Sequence, residues 1–350
     1  MQAMRKRSYV KITQLLILCM LSLLLSSCGK TASEPAASEE TKEDTIEIGM
    51  SFDSFVIERW QRERDVFIAT AKELGAEVNV QTANGEIEEQ IAQIEYFVEK
   101  DVDLIVVVPI DAYKVQGAIG KAKKAGIPVV CYDRVVRSAN TDLFISFDNE
   151  AVGRLMAQEL FRVAGRDCNV IMICGPETDY NTAMVEDGFQ QIMDNYRGKV
   201  IGSCRCDNWR AEMAYDYVSE NIDLVEQADL IMCGNDSLAG EAIRALSERR
   251  LAGKIPVCGQ DADLEACQRI VEGTQLMTVY KPVEKLAKTA AEYSVMLAKG
   301  EKPSIRTTYY DGAYDIPYVA LEPICVTKEN LDEAIIASGF HLREDVYLEH

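Results

Sequence analysis

Ten side chains hold most of the chemistry available to this 350-residue sequence, and each sits just beyond an apolar run. Arg59 and Trp60 follow residues 45–52, and Asp133 and Arg134 follow 129–132. Asp179 and Asn181 come after 171–174, Trp209 after 200–202, and Asn235 after 230–233. Asp261 follows 257–258 and Lys281 follows 277–280. A carboxylate accepts from two hydroxyls, an amide accepts and donates, and a guanidinium donates as a fork. Neighbouring equatorial hydroxyls of a pyranose match those forks. The ring faces are flat and apolar, and an indole can cover them. The chemistry expected is therefore recognition of a sugar. Each residue also has a plainer reading. Asn235 can serve as a helix N-cap, and Trp60 can pack under its helix as core. In Gln260-Asp261-Ala262-Asp263 one acid can cap the next helix, and Asp261, nearer the strand end, is assigned to the ligand.

Other chemistries fare worse. The histidines are His341 and His350, near the end of the chain, which argues against a histidine metal site or a Ser-His triad. No Gly-x-Gly-x-x-Gly occurs, and Gly117-Ala118-Ile119-Gly120-Lys121-Ala122 lacks P-loop spacing. No metal and no cofactor is expected. A glycosidase needs two carboxylates across the scissile bond, which Asp133, Asp179 and Asp261 could supply. Arg134 and Lys281 nearby are expected to keep those acids ionised, which favours accepting hydrogen bonds over donating a proton. The net charge of −20 argues against a nucleic-acid partner.

These residues need elements to position them. From Thr45 onward short apolar runs alternate with amphipathic helices. Strands are predicted at 45–52, 76–82, 104–109 and 128–132, then again at 169–174, 199–203, 230–234, 256–259 and 276–280. Ile87, Ile91, Ile94 and Val98 stripe one helix, and Leu238, Ala242, Ile243 and Leu246 another. Residues 307–326 read as extended. Apolar strands alternating with helices predict an α/β architecture of two doubly wound parallel sheets. In such sheets a ligand sits beyond the carboxyl ends of the strands.

The N-terminus reads as export machinery. Arg5, Lys6 and Arg7 precede an apolar stretch at 12–25, too short to span a bilayer comfortably. Leu25-Ser26-Ser27-Cys28 has the bacterial lipobox pattern, so Cys28 is the expected lipidation site after a signal peptide at 1–27. Residues 28–44 form a small, polar, acidic tether. An extracytoplasmic, lipid-anchored location on the cell membrane is expected, with the anchor as the membrane contact. Of the eleven cysteines, Cys131, Cys174, Cys233 and Cys258 lie in apolar runs and are expected to be buried thiols. Cys204-Arg205-Cys206 is the one close pair.

Several stretches together carry a resemblance. Glu58-Arg59-Trp60-Gln61, Gln81-Thr82-Ala83-Asn84-Gly85, Tyr132-Asp133-Arg134, Ile145-Ser146-Phe147-Asp148-Asn149-Glu150, Gly259-Gln260-Asp261-Ala262-Asp263 and Thr278-Val279-Tyr280-Lys281-Pro282 are similar to the D-xylose-binding proteins of bacterial ABC importers. The resemblance spans about 47–340. It implies a type I periplasmic-binding fold of two α/β lobes joined by a three-strand hinge. One sugar would lie in the cleft, the same ten residues would hold it, and an ABC permease would receive it. A monomer and a binding protein rather than an enzyme are implied. The hinge crossings would fall near 148–152, 281–283 and 310–316. Lobe one would be 45–150 plus 282–312, lobe two 151–281 plus 313–341, and 342–350 a tail. Alternatives are another monosaccharide (glucose, arabinose or ribose), a sensing role with a membrane kinase or chemoreceptor, and, less favoured, a surface glycosidase. Departures from the family pattern are Phe55-Val56, Tyr180 between Asp179 and Asn181, and Cys204-Arg205-Cys206.

Overall fold

The computed structural model describes residues 45–57 and 59–348. The expected signal peptide, lipidation site Cys28 and tether lie outside the described residues. The chain first builds β1 (Ile46–Phe52), α1 (Arg59–Glu73), β2 (Ala76–Thr82), α2 (Ile87–Glu99), β3 (Leu104–Val107), α3 (Gln116–Ala125), β4 (Val129–Tyr132) and β5 (Leu143–Phe147). Every residue of β3, β4 and β5 is buried, as expected of strands covered on both faces. β5 follows β4 without an intervening helix, so a search for alternating strands and helices passes over it. At Asp148, the N-cap of α4 (Asn149–Ala164), the chain enters a second lobe.

That lobe contains β6 (Asn169–Cys174), α5 (Tyr180–Tyr196), β7 (Lys199–Arg205), α6 (Glu212–Glu220), α7 (Ile222–Val225), β8 (Leu230–Cys233), α8 (Asp236–Glu248), β9 (Val257–Gln260), α9 (Leu264–Glu272) and β10 (Met277–Tyr280). α4 and α5 cross very closely. A Cβ on Gly153 would stand 1.9 Å from the Val185 carbonyl oxygen, and one on Gly188 2.0 Å from that of Glu150. The apolar stripes act as expected. Leu238, Ala242, Ile243 and Leu246 are buried on α8. On α2, Ile94 is buried while Ile87, Ile91 and Val98 pack beside it.

After β10 the chain returns to lobe one as α10 (Val283–Ala298), which packs on α1, and continues into β11 (Thr308–Tyr310) and β12 (Asp315–Leu321). The first sheet has the order β11-β12-β5-β4-β3-β1-β2. β13 (Ile324–Thr327) closes the second sheet, β13-β10-β9-β8-β6-β7. The expected third crossing near 310–316 is therefore corrected. β12 runs parallel to β5, from Tyr318 opposite Phe144 to Leu321 opposite Phe147, so residues 315–321 belong to lobe one. The chain passes to lobe two between β12 and β13, at Glu322-Pro323. The expected tail also needs correcting: α11 (Arg343–Tyr347) packs on α9.

Candidate functional site

α1 begins at the carboxyl end of β1, and its first two residues are Arg59 and Trp60, exposed by only 5% and 1%. Arg59 is held from three sides. Its Nη2 donates to Asp133 Oδ1 at 2.8 Å, its Nε donates to Glu63 one turn along α1, and its Nη1 lies 3.5 Å from Asp261 Oδ1 of the other lobe. Glu63 also accepts the Tyr132 hydroxyl proton. Burial opposes the Arg59 charge, but Asp133, Glu63 and Asp261 outweigh it and raise its pKa well above the ordinary value. Arg134 pairs with Asp53 in its own lobe at 2.6 Å and with Asp179 of lobe two at 2.6 Å. The guanidinium carbons of Arg59 and Arg134 lie 4.5 and 5.6 Å from the Trp60 ring. A cation near an indole face is an attractive pairing.

Lobe two supplies the rest from its own strand ends. Asp179 caps α5 by accepting from the Asn181 amide at 3.0 Å. Asn181 Nδ2 reaches across to the Asp133 carbonyl at 3.0 Å. Trp209 donates through Nε1 to Asp179 Oδ2 at 3.2 Å. Its indole lies over Gly175, where an added Cβ would come within 2.3 Å of the ring. Only a glycine leaves that space. Lys281 Nζ pairs with Asp261 Oδ1 at 2.7 Å. Asn235 does cap α8, accepting from the Leu238 amide at 2.9 Å, and its other end remains for the cavity. Three of these residues have positive φ: Asp133 (62°), Trp209 (57°) and Asp261 (98°). Non-glycine residues avoid that region, and holding one there costs roughly 1–3 kcal/mol. The surrounding contacts fix these conformations at the mouths of β4, β7 and β9.

All ten residues expected from the sequence line one cavity between the lobes, with an empty volume of about 480 Å³. Asn149, Thr182 and Gln260 line it too, and sequence reasoning missed them. Asn149 follows β5, the strand passed over; Gln260 is the last residue of β9, and Thr182 follows Asn181 directly. Glu63 was missed as a partner of Arg59 too, although its place four residues along the same helix is a signal that could have found it. Trp60 Nε1, Asn181 Oδ1, Thr182 Oγ1 and Gln260 Oε1 are buried around this cavity without a partner in the protein. Leaving such groups unpaired costs about 1–3 kcal/mol each, so they suit a polar ligand.

The comparisons with known proteins agree with this geometry. Residues 48–302 match the family model described as a periplasmic binding protein domain. The chain is 40% identical over 307 residues to the D-xylose-binding periplasmic protein of Haemophilus influenzae, covering 86% of this chain and 92% of that one. It is 37% identical over 342 residues to the D-xylose-binding periplasmic protein of Escherichia coli, covering 96% and 100%. The chain belongs to the periplasmic binding protein family. The fold is likewise that of an ABC transporter solute-binding protein from Clostridium phytofermentans solved with β-D-glucose, at TM-score 0.78 and 23% identity, covering 86% of this chain and 99% of that one.

Three further expectations can be placed in this periplasmic binding protein. Arg59, Lys281 and Arg134 overcome burial and hold Asp133 below the usual carboxylate range. Asp179 goes the other way: burial, helped by Asp133, pushes it up despite Arg134. At Asp179, then, burial works against the ionising influence expected of Arg134. The unusual Phe55-Val56 pair lies outside the cavity lining; Phe55 packs on Phe52 at 5.1 Å, and Val56 is 69% exposed. Cys131, Cys174, Cys233 and Cys258 are buried thiols outside any disulfide. Their pKa values are raised by burial. No helix among the described residues is long and apolar enough to cross a membrane.

Proposed function

We propose that this chain captures D-xylose between its lobes outside the cytoplasm and delivers it to an ABC permease, without cleaving any bond. One observation carries the reading: acids, amides, guanidinia and two indoles from both lobes converge on one cavity between them. The planar polar groups can hold the rim of a pyranose, with Trp60 and Trp209 covering its faces. The names of the relatives at 40% and 37% identity support xylose over other sugars. We assign the ligand to Arg59, Trp60, Asp133, Arg134, Asp179, Asn181, Trp209, Asn235, Asp261 and Lys281. Calorimetric titration with D-xylose, D-glucose, L-arabinose and D-ribose tests this. One-to-one binding with D-xylose tightest is expected, and tighter binding of another sugar would reassign the substrate.

The same reading tethers the protein, working as a monomer, through a lipid on Cys28, which the Leu25-Ser26-Ser27-Cys28 pattern supports. Cys28→Ala protein is expected to leave the membrane fraction. Retention as firm as that of the wild type would point to an uncleaved N-terminal anchor.

A further inference from the structure

Tyr180 stands between two cavity residues, Asp179 and Asn181, yet does not line the cavity. Although it belongs to lobe two, it packs against the lobe-one cluster that contains Phe144 and Ile316. The Arg137 guanidinium carbon lies 4.3 Å from the centre of its ring. Arg137 is fixed within lobe one. Its amide donates to the Ala112 carbonyl at 2.7 Å, its Nη1 to the Tyr310 carbonyl at 3.3 Å, and its own carbonyl accepts from Gln116 Nε2 at 3.0 Å. Ala112 then donates its amide across the cleft to the Thr178 carbonyl at 2.9 Å. On the same side the Tyr309 hydroxyl of β11 reaches Met184 Sδ on α5 at 3.7 Å.

We propose that Tyr180 and Arg137 form a clasp between the lobes, positioning residues that set how long a captured sugar stays. The inference rests on the sugar-capture reading for its ligand. The clasp sits one residue from both Asp179 and Asn181, so it presses those groups against Arg134 and Asp133. Its two halves lie on different lobes and meet only when the lobes are together. Breaking it therefore speeds opening and leaves the first encounter with sugar unchanged. A guanidinium over a half-buried ring slows opening by about three- to tenfold.

The test compares wild type, Tyr180→Ala, Tyr180→Phe, Arg137→Gln and the Tyr180→Ala/Arg137→Gln pair. D-xylose association and dissociation rates are followed by stopped-flow indole fluorescence, and exchange of the Ala112 amide by mass spectrometry. Tyr180→Ala is expected to raise the dissociation rate about threefold or more, with association within about twofold. Tyr180→Phe keeps the ring and stays near wild type. Arg137→Gln raises dissociation, and the pair is no worse than the sum would allow, being less than additive. The Ala112 amide loses protection in Tyr180→Ala. Unchanged dissociation in Tyr180→Ala, or full additivity in the pair, overturns the clasp. So does a Tyr180→Phe protein as impaired as Tyr180→Ala. A wild type that binds no D-xylose overturns the sugar reading instead. The clasp is then judged by exchange alone, and an Ala112 amide equally protected in Tyr180→Ala and wild type, or unprotected in both, refutes it.

Discussion

Trp60 belongs to two environments at once. It is 1% exposed within the lobe-one core, edge-on to Phe52 at 6.1 Å, and it also lines the cavity. Packing in the core and facing the cavity are therefore compatible at this position. Its neighbour Arg59 meets Asp133 and Asp261, so in the proposed complex one residue would cover a face of the sugar while the next holds its edge. Removing a buried tryptophan outright would cost the fold about 3–5 kcal/mol, which confounds an alanine test. Trp60→Phe is the better variant. It keeps most of the core contact, removes Nε1 and shrinks the stacking face. Affinity for D-xylose is expected to fall about tenfold, close to 1.4 kcal/mol, with the melting temperature nearly unchanged. A Trp60→Phe protein that melts earlier but binds normally would assign Trp60 to the core alone. At this scale the sequence was legible wherever a reactive residue follows an apolar run, as at Asp133 and Asp261. Groups that matter through tertiary proximity were not. Asp53 meets Arg134 from 81 positions away, and no local pattern announces it.

At the scale of elements, the helix starts do double service. Asp179 and Asn235 cap α5 and α8 and also face the cavity. The residue after Asn235 ties lobe two together from behind. Asp236 is fully buried and accepts from Thr278 Oγ1 at 2.7 Å, Gln275 Nε2 at 2.7 Å and the Asp263 amide at 3.1 Å. Burial raises its pKa to about 7; Thr278, Arg269 and Gln275 oppose the rise, while Asp261 adds to it. The folded state therefore keeps a proton that the unfolded chain has released. Its contribution is fully present below the ordinary pKa of 3.8 and is lost as pH rises through about 7. The melting temperature is expected to fall between pH 5 and pH 8, and Asp236→Asn is expected to flatten that slope. An equal slope in the variant would locate the titration elsewhere. The strand pattern made β1 to β4 and β6 to β10 readable from apolar runs alone. β12 was readable as extended but not as lobe one, because its partner β5 is a long-range pairing that local composition does not encode.

For the whole molecule, three crossings let two sheets approach as separate bodies, at Asp148, at Lys281-Pro282 and at Glu322-Pro323. Two of the crossings abut residues that line the cavity: Lys281 itself, and Asn149 just beyond Asp148. Lobe one contributes Arg59, Trp60, Asp133 and Arg134, and lobe two contributes Asp179, Asn181, Trp209, Asn235 and Asp261. Neither lobe alone surrounds a ligand. The central claim is that one sugar is held by both lobes together. Calorimetric titration of D-xylose into wild type, Asp133→Ala and Asp261→Ala tests it most directly. A charge-assisted hydrogen bond contributes about 1.5–3 kcal/mol. One sugar per chain is expected in the wild type, with affinity at least about tenfold weaker when either carboxylate is removed. Tight D-xylose binding that survives the loss of Asp133 or of Asp261 would contradict it.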